Sequence, residues 1–196
     1  VQLITSISCV ANGGNLVTPH LISGLVDADG KTVYTYETEV KRQVISESTS
    51  LLINDILEES VFVQGGNTNC YVKGYRICGK TGTSEKIDKK DESGQTYLRV
   101  GSAIGYAPAD DPEVAVIIIC DEPMGGSVYG SVVAAPYVSD LLSSVLPYLG
   151  YEPQFTEEEL QNIETGILDY TGYDVETAKS SITNKGLKAI VVGNGS

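Results

Sequence analysis

The stretch Tyr75-Arg76-Ile77-Cys78-Gly79-Lys80-Thr81-Gly82-Thr83 decides how the rest of the chain is read. Residues 75–81 are predicted as a strand, apolar before the lysine and ending in the motif Gly79-Lys80-Thr81-Gly82-Thr83. A Lys on a strand projects a fixed cation into a cleft. Gly82 has no side chain to keep a ligand from the backbone. Thr83 adds a hydroxyl and a backbone N–H at the same place. An extended peptide can join such a strand as one more strand, its carboxylate meeting Lys80 and Thr83. Lys-Thr-Gly alone also fits a surface turn with an incidental Lys, so its surroundings decide.

Two further strands are expected downstream, at residues 99–106 and 113–121. The turn composition of Pro108-Ala109-Asp110-Asp111-Pro112 makes them antiparallel neighbours. Asp110 and Asp111 read as turn residues rather than an acid/base couple. Ser102, on the strand beside Lys80, reads as structural, and Tyr97 and Arg99 as residues able to line a cleft. The connector at 84–95 is charged and expected to be exposed. After the break at Met124-Gly125-Gly126, residues 134–149 read as a helix with Pro136 in its first turn.

Upstream, residues 2–11 have helical spacing and Asn12-Gly13-Gly14 stops them. Residues 20–26 and 31–36 flank Asp27-Ala28-Asp29-Gly30 as a hairpin. Ser46 caps a helix of about 14 residues with Leu51, Leu52, Ile56 and Leu57 on one face. Residues 64–69 read as a loop.

With 196 residues, 41% hydrophobic and 20% charged, the chain has room for one globular domain and part of a second. No apolar run approaches the ~18 residues of a membrane span. The formal net charge is −13. Residues 1–107 carry 12 acidic and 10 basic side chains, and residues 108–196 carry 14 and 3. That balance argues against a nucleic-acid partner, because phosphates need clustered Lys and Arg. The C-terminal excess reads as a solvated acidic surface. Four Cys without a CxxC pair and a single His, His20, argue against a zinc site. Cys9, Cys78 and Cys120 sit in apolar stretches and are expected to be buried free thiols. His20 is expected to pack or hydrogen-bond within its strand. No cofactor is implied. Val1 is not an initiator Met and no signal segment opens the chain, so an excised part of something longer is expected.

The order of segments resembles the C-terminal part of the transpeptidase domain of class B penicillin-binding proteins. VQLITSISCVANGGNLVTPHLI (1–22) resembles the helix and exit before the last strands. DADGKTVY (27–34) and RQVISESTSLLINDILEESV (42–61) resemble the hairpin and helix that follow. VKGYRICGKTGTSEK (72–86) resembles the strand with the active-site Lys-Thr-Gly, and VGSAIGYAPADDPEVAVIIICDEP (100–123) the next antiparallel pair. AAPYVSDLLSSVLPYLG (134–150) resembles the closing helix. The resemblance implies an α+β fold, an antiparallel sheet with helices packed on it. It further implies five strands, one lying upstream and pairing beside residues 113–121, whose apolar edge is otherwise unpaired.

The tail TGYDVETAKSSITNKGLKAIVVGNG (171–195) resembles the first half of a PASTA module. Residues 1–150 are therefore expected to belong to the transpeptidase domain, 151–165 to a linker, and 166–196 to a partial strand-helix-strand PASTA-like module. A short acidic helix capped by Thr156 is expected at 155–163, a helix at 175–185, and a strand from Leu187 to Val192.

The family also uses a nucleophilic Ser in Ser-x-x-Lys and a second Ser in Ser-x-Asn. No Ser in this chain has Lys at +3 or Asn at +2. The resemblance places those motifs upstream, so the chain alone is expected to be inactive. For the whole enzyme it implies that the upstream Ser attacks the D-Ala-D-Ala end of a peptidoglycan stem peptide. A second stem peptide then resolves the acyl-enzyme into a cross-link, and β-lactams are trapped at the same site. Within the Lys80, Thr81, Gly82, Thr83 motif, Lys80 supplies positive potential to the substrate carboxylate. Thr83 donates its hydroxyl to that carboxylate and its N–H to the oxyanion. The implied partners are the stem peptide, β-lactams and the N-terminal remainder of the same protein. The implied location is the extracytoplasmic face of a bacterial membrane, anchored through an upstream segment, in a vegetative or a sporulation role. A non-catalytic cell-wall or β-lactam recognition module is the rival reading.

Overall fold

The computed structural model describes residues 1–62, 67–90, 92–157, 159–160, 174–183 and 187–191. The chain divides into two compact units, Val1–Val72 with Arg76–Tyr151, and Lys73–Tyr75 with Glu152–Ser196.

The first unit opens with α1 (Gln2–Ala11), stopped at Asn12 as its sequence requires. Three-residue β1 (Asn15–Val17) pairs antiparallel with β4 (Val40–Gln43). The hairpin at Asp27 forms from β2 (Gly24–Val26) and β3 (Thr32–Thr35). Asp27 Oδ1 accepts the N–H groups of Asp29 and Lys31, at 3.0 and 2.9 Å, which locks the turn. His20 precedes this hairpin outside any strand, and its ring stacks on Tyr36 with centroids 3.6 Å apart.

α2 (Glu47–Phe62) is capped by Ser46, whose Oγ accepts the Thr49 N–H at 3.1 Å. Its buried face differs from the one expected. Leu51, Leu52 and Ile56 are exposed, while Ser50, Asn54 and Val61 are buried and Leu57 half-buried. Spacings of 4, 3 and 4 residues put 50, 54, 57 and 61 on one stripe. Its two polar members are buried because each has partners. Ser50 donates to Val10 O and accepts the Gly13 N–H, and Asn54 Oδ1 accepts the Tyr106 hydroxyl. Apolar spacing alone finds Leu57 of this stripe and misses its other members.

The central sheet has the order β5-β6-β7, all antiparallel: β5 (Cys78–Glu85), β6 (Arg99–Ala107) and β7 (Val114–Asp121). β5 starts and ends later than expected, at 78–85 rather than 75–81. The ladder runs without a break from Cys78↔Tyr106 to Glu85↔Arg99, so its polar end is held by β6 rather than by burial. Three strands make this sheet among the described residues. β7 is its outer strand opposite β5, with Ile119 55% exposed.

Helices pack on both faces. Cys78, Tyr106 and Ala109 form one cluster with Ala11 of α1, and Ile7, Leu57 and Ala115 pack against it. On the other face lie α3 (Gly130–Val133) and α4 (Ala135–Tyr148), the latter with Pro136 in its first turn. Val138, Leu142 and Leu146 of α4 are fully buried. Cys9, Cys70 and Cys78 are buried free thiols and Cys120 a half-buried one. Burial pushes the Cys70 thiol up to about 11 and that of Cys78 up to about 12, so both stay protonated at neutral pH. No buried side-chain polar atom among the described residues lacks a partner.

In the second unit, Thr156 and Glu159 form a capping box: Glu159 Oε2 accepts the Thr156 N–H and Thr156 Oγ1 accepts that of Glu159. Glu159 Oε1 also accepts the Gly74 N–H at 2.9 Å. α5 (Val175–Thr183) is capped by Asp174, which accepts the Thr177 N–H at 2.9 Å. Residues 187–191 are not in a strand, contrary to the expectation, because no ladder partner stands beside them among the described residues. The strand expected before Asp174 lies outside the described residues. Among the described residues no helix is long and apolar enough to cross a membrane, and no three potential ligands gather for a metal.

Candidate active-site strand

Lys80, Thr81, Gly82 and Thr83 lie together in the first six residues of β5, at the edge of the sheet. Side chains alternate between faces, so Lys80 and Gly82 share the face of Cys78, while Thr81 and Thr83 share the other. Lys80 is exposed, and its Nζ donates back to Thr81 O at 2.6 Å.

The backbone alternates as well. The Thr81 N–H bonds to Asn67 Oδ1 at 3.1 Å, away from β6. By the antiparallel pattern, Thr83 two residues on also turns its N–H and C=O outward. That is the arrangement a peptide needs to add to the edge.

Two contacts fix the outer half of the motif. Thr83 Oγ1 accepts the Gly130 N–H at 3.0 Å, which holds the hydroxyl from behind and leaves its own proton to donate. A Cβ on Gly82 would stand 2.9 Å from Ser102 Oγ on the paired strand. The absent side chain at Gly82 thus makes room for Ser102 within the sheet. The expected reason, ligand access alone, is incomplete.

The remaining sequence candidates lie apart from the motif. Arg99 pairs with Glu85 at 2.9 Å and donates to the Thr96 and Leu98 carbonyls, so it closes the β5–β6 hairpin instead of lining a cleft. Tyr97 is exposed in that connection. Asp110 lies 3.3 Å from Arg76, which also makes a two-point pair with Glu58 at 2.6 and 2.8 Å. A cavity of about 610 Å³ is lined by Val1, His20, Ile22, Leu25 and Tyr36 around the β2–β3 hairpin, without Lys80.

Sequence reasoning missed Ser60, Asn67 and Gly130. Asn67 Nδ2 donates to Gly79 O at 3.1 Å and to Ser60 Oγ at 2.8 Å, and Oδ1 also accepts the Thr81 hydroxyl at 2.9 Å. The loop at 64–69 carried only turn composition, with no period to mark which of its polar residues turns inward.

An antiparallel sheet with helices on both faces carries Lys-Thr-Gly on an edge strand, one of the motifs of the penicillin-recognising serine enzymes. Residues 1–143 match the family profile of the penicillin binding protein transpeptidase domain. The chain belongs to that family. It is 40% identical over 160 residues to stage V sporulation protein D of Bacillus subtilis (strain 168), a match covering 81% of this chain and 24% of that protein. It is 31% identical over 111 residues to the peptidoglycan D,D-transpeptidase FtsI of Escherichia coli (strain K12), covering 57% of this chain and 18% of that one. The solved transpeptidase domain of Burkholderia pseudomallei penicillin-binding protein 3 superposes with a TM-score of 0.61 and 26% identity, over 79% of this chain and 44% of that one. The chain thus spans about a quarter or less of these two curated relatives.

Proposed function

We propose that this chain supplies the Lys-Thr-Gly side of the active site of a serine-type D,D-transpeptidase. That enzyme cross-links peptidoglycan stem peptides ending in D-Ala-D-Ala and is acylated by β-lactams. The observation that carries the reading is the edge of β5. It presents the Lys80 cation and, by strand alternation, an outward Thr83 N–H, in a chain of this family. Lys80 draws the substrate carboxylate, the Thr83 hydroxyl donates to it, and the Thr83 N–H is one of two oxyanion donors. The nucleophilic Ser, its Lys and the Ser-x-Asn motif come from outside these 196 residues, which contain neither pattern.

The same reading makes residues 166–196 part of a PASTA-like module joined through 151–165, and places the protein at the extracytoplasmic face of a bacterial membrane. The relative named for sporulation makes a sporulation role one candidate setting. The test is covalent labelling. The full-length protein should give a denaturation-resistant band with a fluorescent penicillin, and the 196-residue chain none. A labelled 196-residue chain would mean that a Ser outside Ser-x-x-Lys is the nucleophile, and an unlabelled full-length protein would end the transpeptidase reading.

A further inference from the structure

The outer edge of β5 is closed at one end by a side-chain amide. Asn67 is 8% exposed. Its Nδ2 donates to Gly79 O and its Oδ1 accepts the Thr81 N–H, both at 3.1 Å. These are the two backbone groups to which an added strand would bond, through two successive residues of its own hydrogen-bonded ladder. The amide is held in this orientation by its other contacts. Nδ2 donates to Ser60 Oγ at 2.8 Å, Oδ1 accepts the Thr81 hydroxyl at 2.9 Å, and the Asn67 backbone N–H donates to Ser60 O at 2.7 Å. Exchanging the amide O and N would set donor against donor at Thr81 N and acceptor against acceptor at Gly79 O. The edge is therefore occupied at Gly79 and Thr81 and turns outward from Thr83 onward.

The position of this closure matters for what binds. The sheet is antiparallel throughout, and a peptide added to β5 in the antiparallel sense has its C-terminus at the Cys78 end of the strand. That is where the Lys80 side chain and the Asn67 amide both lie. Lys80 reads the charge of the terminus. A chain that continued past it would need the backbone groups of Gly79 and Thr81, and Asn67 already holds them.

We propose that Asn67 is a positioning residue that ends the peptide-binding edge, so that the site accepts peptides terminating at Lys80–Thr81 and rejects peptides that run on. The inference rests on the reading of β5 as the substrate strand.

The test uses the full-length protein and three acyl donors: a stem peptide ending in D-Ala-D-Ala as the free acid, the same peptide as its C-terminal amide, and the same peptide extended by one Gly. Relative kcat/KM for acyl-enzyme formation is read by mass spectrometry. The wild type should reject the extended peptide more strongly than the amide, because the amide lacks only the charge. Asn67→Ala should raise the relative rate on the extended peptide by about tenfold or more and leave the amide-to-acid ratio unchanged. A residue that merely stabilised the fold would change all three rates by one factor, and that result overturns the proposal. A wild type that takes the extended peptide as well as the amide overturns it too, even where Asn67→Ala fails to fold. A wild type acylated by none of the three donors and by no penicillin brings down the reading of β5, and the stop with it. Normal acylation with unmoved ratios removes the stop alone.

Discussion

Gly130 donates its N–H to Thr83 Oγ1 at 3.0 Å, and its Cα comes so close to the sheet that a Cβ would stand 2.2 Å from both Gly82 O and Ser102 O. The start of α3 therefore presses on the strand pair that carries the motif, at the pairing Gly82↔Ser102. The contact explains why a glycine stands there: any side chain would meet backbone that cannot give way.

Gly130→Ala should accordingly lose stability by about 1–3 kcal/mol or more, as overpacking against backbone does. Gly126→Ala is the control, since a Cβ there meets nothing within 4 Å. Urea unfolding of the two variants beside the wild type checks this. Equal midpoints for all three would show that α3 moves aside without cost.

The Lys80 side chain should matter more to acylation than the exact shape of the hydroxyl at Thr83. Lys80→Ala deletes the exposed cation, whereas Thr83→Ser keeps an oxygen able to accept the Gly130 N–H. Loss of one charge-assisted contact costs about 1.5–3 kcal/mol, or roughly ten- to hundredfold in rate. Penicillin acylation of the full-length protein should fall by that factor for Lys80→Ala and by much less for Thr83→Ser. Equal rates for wild type and Lys80→Ala would take Lys80 out of the site.

The Tyr106 hydroxyl, donated to Asn54 Oδ1 at 2.7 Å in the core, ties the far end of β6 to α2. Tyr106→Phe removes the donor and leaves a buried amide oxygen without it, at a cost of about 1–3 kcal/mol. Asn54→Leu combined with Tyr106→Phe removes both partners, so the double variant should lose less than the sum of the singles. Additive losses in chemical denaturation would show that the two groups do not act as a pair.

Local rules explain which parts of this fold are legible in the sequence. Helix α1 ends at Asn12 and α2 begins after Ser46 because caps act within a few residues of themselves. The antiparallel order of β6 and β7 follows from the short turn between them. What fails is whatever depends on a distant partner. β5 continues through Ser84 and Glu85 because β6 pairs with them, and no apolar signal marks those residues. The buried stripe of α2 runs through Ser50 and Asn54 because Val10 and Tyr106, far off in sequence, receive them. The motif Lys80–Thr83 is legible as a string, but Asn67 and Gly130, which hold it, are not. Nothing within a few residues of either tells where its amide or its missing Cβ is needed.

Glu122 follows β7 with φ 51°, in the left-handed region that non-glycine residues seldom take. Its carboxylate receives Lys86 Nζ at 2.7 Å and Lys89 Nζ at 2.8 Å, both from the connection after β5. Hydrogen bonds from Lys86 and then Lys89 lower its pKa from 4.5 to about 2. The folded carboxylate thus keeps its charge where an unfolded one has already lost it. The stability contributed by these pairs is complete above pH 4.5 and is lost as the pH falls toward 2. Glu122→Gln has no such proton to take up. The stability difference between wild type and Glu122→Gln should stay level above pH 4.5, close between 4.5 and 2, and shrink in high salt because the pairs are partly solvated. Carboxyl chemical shifts read the same titration directly. A Glu122 that titrates near 4.5, with a difference that ignores pH, would mean the two lysines do not hold it in solution.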